Sequence, residues 1–144
     1  MIGAWNIWGL NKTYKQKELR HWLSVHKVSL MGLVETRVKK ENDGKVCDRL
    51  GPQWERFSNY EDHSNGRIWC IWDKKVWQVQ RMASCGQAMQ LVVTGIFSNV
   101  KFFITFVYAF NDGISRKGLW QWLQDNKIER DPWIILGDLS LIHI

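Results

Sequence analysis

Residues 2–36, which read IGAWNIWGLNKTYKQKELRHWLSVHKVSLMGLVET, decide the fold class of this chain. Residues 2–7 form an apolar run that ends in a loop at Gly9, and residues 28–34 are continuously apolar, as in a strand buried on both faces. Between the two runs we expect an amphipathic helix, with Thr13 as its N-cap and an apolar stripe of Leu19, Trp22, Leu23 and His26. Strand, helix and strand in this order predict a parallel βαβ unit.

The rest of the chain predicts further strands and a second long helix. Residues 39–51 are polar and are expected to contain a short helix. Five β-like runs separated by turn residues then predict an antiparallel meander; they are 54–59, 67–72, 76–82, 87–97 and 101–108. Ser115 is the expected N-cap of the second amphipathic helix, and Pro132 separates that helix from a strand at 133–136. The apolar stripe of this helix is expected to be Leu119, Trp120, Leu123 and Ile128. The alternation predicts one α/β domain with mixed sheets and no internal boundary.

The composition favours a single folded domain with a polyanionic partner. Of the 144 residues, 45% are hydrophobic and 24% charged, as is typical of globular domains. Twenty Lys and Arg against 14 Asp and Glu give a formal net charge of +6, which suggests a nucleic acid or another polyanion. Cys47, Cys70 and Cys85 form no C-x-x-C pair, so neither a disulfide framework nor a zinc ribbon is expected. Without an apolar run of membrane-spanning length or a signal-peptide pattern, we expect a nuclear or cytoplasmic protein and no membrane partner.

Polar side chains follow four of the expected strands, and α/β folds build their sites at such strand ends. They are Asn6, Glu35, Tyr108 with Asn111, and Asp138. Two carboxylates and an amide suit a hard cation such as Mg²⁺, which keeps several water ligands and binds phosphate oxygens. Tyr108 and Asn111 are then placed to bind that phosphate. Taken alone, each of these residue types is more often a turn former or a solvated side chain, so the prediction depends on all of them in this order.

Five short motifs, in this order, resemble those of a known superfamily. They are W-N-I-x-G-L-N from Trp5, L-V-E-T-R to Arg37, G-R-I-W-x-x-W from Gly66, V-Y-A-x-N from Val107 and P-W-I-I-L-G-D to Asp138. The chain is similar to the endonuclease/exonuclease/phosphatase superfamily, and in particular to the apurinic-like endonuclease domain of plant LINE-type non-LTR retrotransposons. The resemblance implies an α/β fold, a four-layer sandwich of two mixed β-sheets flanked by helices, of which this chain holds an incomplete N-terminal portion.

The resemblance also implies a role for each strand-end residue. Glu35 matches the metal-binding Glu, and Asn6 matches the Asn that supports the metal and the phosphate. Tyr108 matches the active-site Tyr, and Asn111 matches the Asn of Y-x-x-N. Asp138 matches the Asp of G-D-x-N, which orients the attacking water. The implied chemistry is hydrolysis of a phosphodiester by in-line attack of that water, with Mg²⁺ as the cofactor or Mn²⁺ in its place.

Three functions are open on this interpretation. The first is the DNA-nicking endonuclease domain of a LINE-type retrotransposon, whose parent polyprotein also carries a reverse transcriptase domain. The second is a nucleic-acid-binding relic without turnover, and the third is a phosphoesterase that acts on an inositol lipid or a small phosphoester. The basic charge favours DNA over the third function, because Lys and Arg supply most sequence-independent affinity for nucleic acids.

Basic residues just past the strand ends are expected to contact backbone phosphates of DNA. They are Arg37, Lys39, Lys40, Arg116 and Lys117. Trp8 stands where related elements commonly carry Arg, and both core packing and DNA contact are open for it.

The sequence departs from the family pattern in its last motifs. Phe110 replaces the usual Pro of the tyrosine motif, and Ser140 replaces the Asn of G-D-x-N. Residues 139–144 can be encoded by CTGTCTCTTATACACATC, which is similar to the transposase-end adapter of sequencing libraries. We therefore expect the domain to cover residues 1–138 and the tail to be non-native. An inactive fragment is expected, in which the apolar faces of residues 28–34 and 102–107 are exposed.

Overall fold

The computed structural model describes residues 1–62, 67–109 and 113–138, and of Gly113, Ser115 and Asp138 only the backbone. Asn111 and the tail 139–144 therefore lie outside the described residues. The elements in chain order are β1 (Ile2–Asn6), α1 (Thr13–Val25), β2 (Leu30–Val34), α2 (Asp43–Leu50), β3 (Trp54–Ser58), β4 (Ile68–Asp73), β5 (Trp77–Cys85), β6 (Ala88–Gly95), β7 (Lys101–Tyr108), α3 (Gly113–Asp125) and β8 (Trp133–Asp138). A single 3₁₀ turn, Lys40–Asn42, leads into α2.

The first sheet has the strand order β1-β2-β4-β3. Strands β1 and β2 are parallel, with Asn6 beside Val34 in the register, which confirms the predicted βαβ unit. Strand β4 runs antiparallel to β2 and places Ile68 opposite Val34. The carboxyl ends of β1 and β2 therefore meet the amino end of β4 at one edge of this sheet.

The second sheet has the order β5-β6-β7-β8. Strands β5, β6 and β7 are antiparallel neighbours, whereas β7 and β8 are parallel and end side by side at Tyr108 and Asp138. The expectation of a single meander is therefore wrong, because β3 and β4 pair in the first sheet. The alternating pattern along a strand indicates which residues face a core, but it does not indicate which sheet the strand joins.

Two close-packed faces hold the sheets together. The space between them is filled from the first sheet by Leu30, Val34, Ile68, Cys70 and Trp72 and from the second by Met89, Leu91, Ile104 and Phe106. The helices α1 and α2 cover the outer face of the first sheet, with Leu19, Leu23, Val46 and Leu50 packed around Leu33 and Trp69. Helix α3 covers the second sheet through Leu119 and Leu123. The predicted four-layer α/β sandwich is confirmed.

Both long helices begin before the position that their expected N-cap residues predicted. Helix α1 has Lys12 at its N-cap position without a side-chain capping bond, so Thr13 is its first helical residue. Helix α3 begins at Gly113, which places Ser115 inside the helix. It ends at Asp125, and the backbone N–H and the side-chain Nδ2 of the next residue, Asn126, both donate to the Trp122 carbonyl. Ile128 therefore follows the helix and is not part of its apolar stripe.

The expected exposure of the two central apolar runs is wrong. Every residue of β2 is buried, and in β7 every residue from Phe102 to Val107 is buried. Each of these strands has a neighbour on both sides and layers over both faces. The strand β8, at one end of the second sheet, is more open, and its Ile134 and Ile135 are each 39% exposed. In the described ranges, none of the helices is long and apolar enough to cross a membrane.

Candidate functional site

The ends of five strands converge on one edge of the sandwich. Glu35 follows directly after β2, and Asn6 ends the parallel neighbour β1. Tyr108 ends β7, and the backbone of Asp138 ends β8 beside it. Arg67 immediately precedes β4, whose amino end lies at the same edge because β4 is antiparallel to β2. Four of the five strand-end residues singled out in the sequence thus share this edge, and the fifth, Asn111, lies outside the described residues.

A hydrogen bond between the two sheets forms the centre of the site. The Tyr108 hydroxyl donates to Oε1 of Glu35 over 2.5 Å, and both residues are partly buried. The two residues are 73 positions apart in the chain. The contact fixes one carboxylate oxygen of Glu35, Oε1. The chemical roles assigned to Glu35 and Tyr108 stay predictions.

The backbone of Glu35 has a left-handed conformation, with φ of +54°. Two bonds hold it there: its N–H donates to the Arg67 carbonyl over 2.8 Å, and its carbonyl accepts from the Gly9 N–H over 2.9 Å. A left-handed non-glycine residue costs on the order of 1–3 kcal/mol and is typical of functional sites. The conformation turns the chain sharply after β2 and directs the carboxylate towards Tyr108.

Trp8 and Arg37 form a stacked pair beside this turn. Both have left-handed backbones, with φ of +43° and +55°. The Arg37 guanidinium lies 5.3 Å from the centre of the Trp8 ring, which is the range of a cation–π contact. Trp8 is 63% exposed, so of the two alternatives left open for it, core packing is excluded.

Arg67 is a cleft residue that the sequence did not single out. Its guanidinium lies 5.5 Å from the centre of the Tyr108 ring, and its carbonyl accepts the Glu35 N–H. The sequence placed it as the first residue of a strand. Its place beside Glu35 follows from the antiparallel pairing of β2 and β4, which brings the residue before β4 next to the residue after β2 and which no local sequence pattern indicates.

The cleft over Glu35 and Tyr108 has a volume of about 640 Å³ and is predominantly basic. Its lining residues are Glu35, Arg37, Val38, Lys39, Lys40, Glu41, Arg67 and Tyr108. Three of the predicted DNA-contact residues, Arg37, Lys39 and Lys40, are among them. Arg116 and Lys117 lie in the first turns of α3 and do not line this cleft. Asn6 lines a neighbouring cavity of about 260 Å³ with Val34 and Gly137.

The side chains at this edge that could bind a metal ion offer oxygen atoms as ligands. Within residues 1–62, 67–109 and 113–138, no group of three His, Cys, Asp or Glu side chains is placed to hold a metal ion. What the edge offers is the Glu35 carboxylate and the Asn6 amide on adjacent parallel strands, with position 138 across from them. A few oxygen donors beside space for water and phosphate suit Mg²⁺ rather than a metal held in an all-protein cage.

The chain matches no protein-family model and no curated protein sequence. It does share its fold with several solved structures. It is similar to an endonuclease/exonuclease/phosphatase family protein from Bacteroides thetaiotaomicron, with a TM-score of 0.70 and 9% identity over 96% of this chain and 62% of that one. It is also similar to the endonuclease domain of TRAS1, a telomere-specific non-LTR retrotransposon, with a TM-score of 0.71 and 13% identity over 95% of this chain and 58% of that one. A third similar structure is D. rerio TDP2 complexed with single strand DNA product, with a TM-score of 0.63 and 16% identity over 94% of this chain and 58% of that one.

These likenesses define the class of fold. The chain has the α/β sandwich fold of the endonuclease/exonuclease/phosphatase proteins, with its strand-end residues gathered at one edge. More particularly, one of the structures that share this fold is a retrotransposon endonuclease domain. The chain spans 58% to 62% of the length of these three solved structures.

Proposed function

We propose that this chain carries the phosphate-binding part of a metal-dependent phosphodiester hydrolase that acts on DNA. The proposal extends to the DNA-nicking endonuclease of a LINE-type retrotransposon, whose parent protein also carries a reverse transcriptase domain that primes at the nick. The observation that carries it is the Glu35 carboxylate, fixed by the Tyr108 hydroxyl at the base of a basic cleft.

Glu35 and Asn6 are the residues proposed to hold Mg²⁺, or Mn²⁺ in its place. Their oxygens are hard donors on adjacent parallel strands, and few enough to leave positions for water and phosphate. When bound, the ion supplies positive charge that stabilises the phosphate and the leaving oxygen.

The other residues of the edge bind and orient the substrate. Arg67 and Lys39 attract the phosphate, since their cations line the cleft beside Glu35. Tyr108 holds Glu35 in one orientation, and its ring is flanked by Arg67. Asp138 is proposed to orient the attacking water, whose oxygen forms the new bond to phosphorus as the bond to the leaving oxygen breaks.

Two features favour DNA over a small phosphoester. The cleft carries four cations against two carboxylates, and three of the cations, Arg37, Lys39 and Lys40, are exposed to solvent. Exposed Trp8 beside Arg37 also offers a flat surface on which a base can stack. A relic that binds nucleic acid without turnover would keep both features, so binding and hydrolysis are tested separately.

The test of the metal site compares two carboxylates of the same cleft. Mn²⁺ binding is followed by electron paramagnetic resonance, with Mg²⁺ as the competitor, in the native chain and in Glu35→Gln and Glu41→Gln. Both substitutions remove one negative charge, but Glu41 is exposed, whereas Glu35 is partly buried and accepts the hydrogen bond from the Tyr108 hydroxyl. We expect Glu35→Gln to abolish Mn²⁺ binding and Glu41→Gln to leave it within about twofold of native. Equal effects of the two substitutions, or no binding by the native chain, would overturn the proposal.

A further inference from the structure

We propose that a second groove, along α2, binds the phosphates of a DNA strand where it leaves the cleft. This α2 groove has a volume of about 400 Å³ and shares Arg37, Val38 and Lys39 with the cleft. Its remaining lining residues are Asn11, Gln16, Asn42, Lys45, Val46 and Arg49. Because three residues line both spaces, the cleft and the groove form one continuous basic surface.

One face of α2 provides the floor of this groove. Asn42, Lys45, Val46 and Arg49 follow the i, i+3, i+4, i+7 spacing of a single helical face. Lys45 and Arg49 lie one turn apart, at roughly 5–6 Å between Cβ atoms. An eight-residue helix is about 12 Å long, which is the axial length over which one strand of B-form DNA carries about three to four phosphates, at a rise of about 3.4 Å each.

Arg49 is held in place by a buried amide. Gln16 is only 4% exposed; its Nε2 donates to the Leu10 carbonyl over 3.0 Å, and its Oε1 accepts from Nη1 of Arg49 over 3.0 Å. Since the Arg49 side chain is already oriented towards the groove, it loses less conformational entropy when it binds an anion. A solvated surface arginine would have no such support from the core.

The charge of the groove is unbalanced. Its lining includes four cations, Arg37, Lys39, Lys45 and Arg49, and no carboxylate. In the described parts of the chain, none of these four makes a salt bridge, whereas Arg56 is ion-paired with Asp43 at 3.1 Å. The folded chain therefore neutralises Arg56 but not the groove, which leaves the groove cations to an external polyanion.

A polynucleotide fits this arrangement, and a small phosphoester does not. A single phosphate bound near Glu35 cannot also contact Lys45 and Arg49 in the adjoining groove, but successive phosphates of one strand can. This inference rests on the proposed function and narrows its substrate to a polymer.

The experiment uses two charge-matched pairs of substitutions. Lys45→Gln with Arg49→Gln removes two charges from the groove, and Lys74→Gln with Lys75→Gln removes two from the turn after β4, at the opposite edge of the first sheet. Fluorescence anisotropy measures binding of a labelled single-stranded DNA of about 20 nucleotides, without divalent metal and over a range of salt. Circular dichroism confirms that each variant is folded.

We expect the groove pair to weaken binding roughly tenfold at low salt. The negative slope of log affinity against log salt should become shallower by about 1.4, because two phosphate contacts are lost. The control pair should bind as the native chain does. Equal losses in both pairs, or no loss in the groove pair, would overturn the inference. Should the groove pair not fold, Lys45→Gln alone is tested, with an expected slope change of about 0.7 and recovery in Lys45→Arg.

The outcomes separate the groove from the proposed function. If Glu35 is needed for Mn²⁺ binding but the groove pair binds DNA normally, the groove is wrong and the proposed function stands. If the groove pair loses affinity but no Mn²⁺ binds at Glu35, the groove stands and the proposed function is wrong.

Discussion

At the scale of single residues, the candidate site depends on unusual backbone conformations. Trp8, Glu35 and Arg37 all have positive φ, and they are neighbours in space. Bonds from Gly9 and Arg67 to the Glu35 backbone hold this conformation. The sequence identified Glu35 from its place after an apolar run, but nothing in its neighbours' types indicated the turn that directs its carboxylate.

Tyr60 supports the wall of the cleft from beneath. Its hydroxyl donates to the Val38 carbonyl over 2.6 Å and accepts a hydrogen bond from Nε1 of Trp69 over 3.2 Å. Burial, the main cause, raises the pKa of Tyr60 from 10.0 to about 12. The neutral hydroxyl is thus favoured in the folded chain relative to the unfolded one.

We expect Tyr60 to make the folded chain less stable as the pH rises from about 10 to about 12. Over this range the unfolded chain releases the Tyr60 proton while the folded chain retains it, so the free energy of unfolding falls. In Tyr60→Phe this decline should be shallower. Urea unfolding at a series of alkaline pH values measures it, with Tyr14→Phe as the control, because Tyr14 is 65% exposed. Parallel declines in Tyr60→Phe and the native chain would contradict the prediction.

At the scale of elements, the site is set by how closely β2 and β7 approach each other. Gly32 lies in β2 under the ring of Phe106 from β7, and a Cβ at Gly32 would lie 2.1 Å from Cδ1 of that ring. Glu35 follows Gly32 by three residues and Tyr108 follows Phe106 by two, so the same contact brings the carboxylate within reach of the hydroxyl.

Gly32→Ala should destabilise the fold by about 1–3 kcal/mol, because the added methyl group has no room between the sheets. Replacing Phe106 with Leu in the same chain should recover part of the loss. Gly118→Ala is the control, since an added Cβ there has no atom within 4 Å and α3 gains a better helix former. Denaturant unfolding measures all three, and similar stability in Gly32→Ala and Gly118→Ala would show that the sheets do not pack as described.

At the scale of the whole molecule, the two sheets bring the strand ends of the candidate site to the same edge of the sandwich. Strands β1, β2, β7 and β8 all end at the same edge, and β8 lies against β1 and β2. The candidate site therefore combines residues of both sheets, with Glu35 and Asn6 from one sheet and Tyr108 and Asp138 from the other.

We predict that this 144-residue chain nicks supercoiled plasmid in Mg²⁺ no faster than its Glu35→Ala variant. Ser140 stands where the superfamily that the chain resembles has the Asn of G-D-x-N. Loss of one hydrogen-bond donor that stabilises the transition state typically lowers the reaction rate by a factor of roughly 10²–10³. Gel electrophoresis of the plasmid forms measures the rate, and DNA binding by both proteins serves as the control. Rapid nicking that Glu35→Ala abolishes would contradict this prediction and demonstrate a working endonuclease.

The sequence by itself determined the element types and the candidate polar residues. Apolar periodicity and length place β1, α1, β2 and β7 within two residues of their observed bounds, because burial imposes a period on each element. The order of Asn6, Glu35, Tyr108 and Asp138 after apolar runs was enough to indicate a site at the strand ends.

Only the tertiary structure decided which sheet each strand joins and which residues share the cleft. Strand pairing is a long-range property, so nothing local assigned β3 and β4 to the first sheet or brought Arg67 beside Glu35. The same holds for Lys45 and Arg49, which are ordinary surface charges by sequence and line a groove only because α2 packs beside Gln16. Local pattern fixes what a residue can do, whereas its partners depend on contacts between distant segments that only folding brings together.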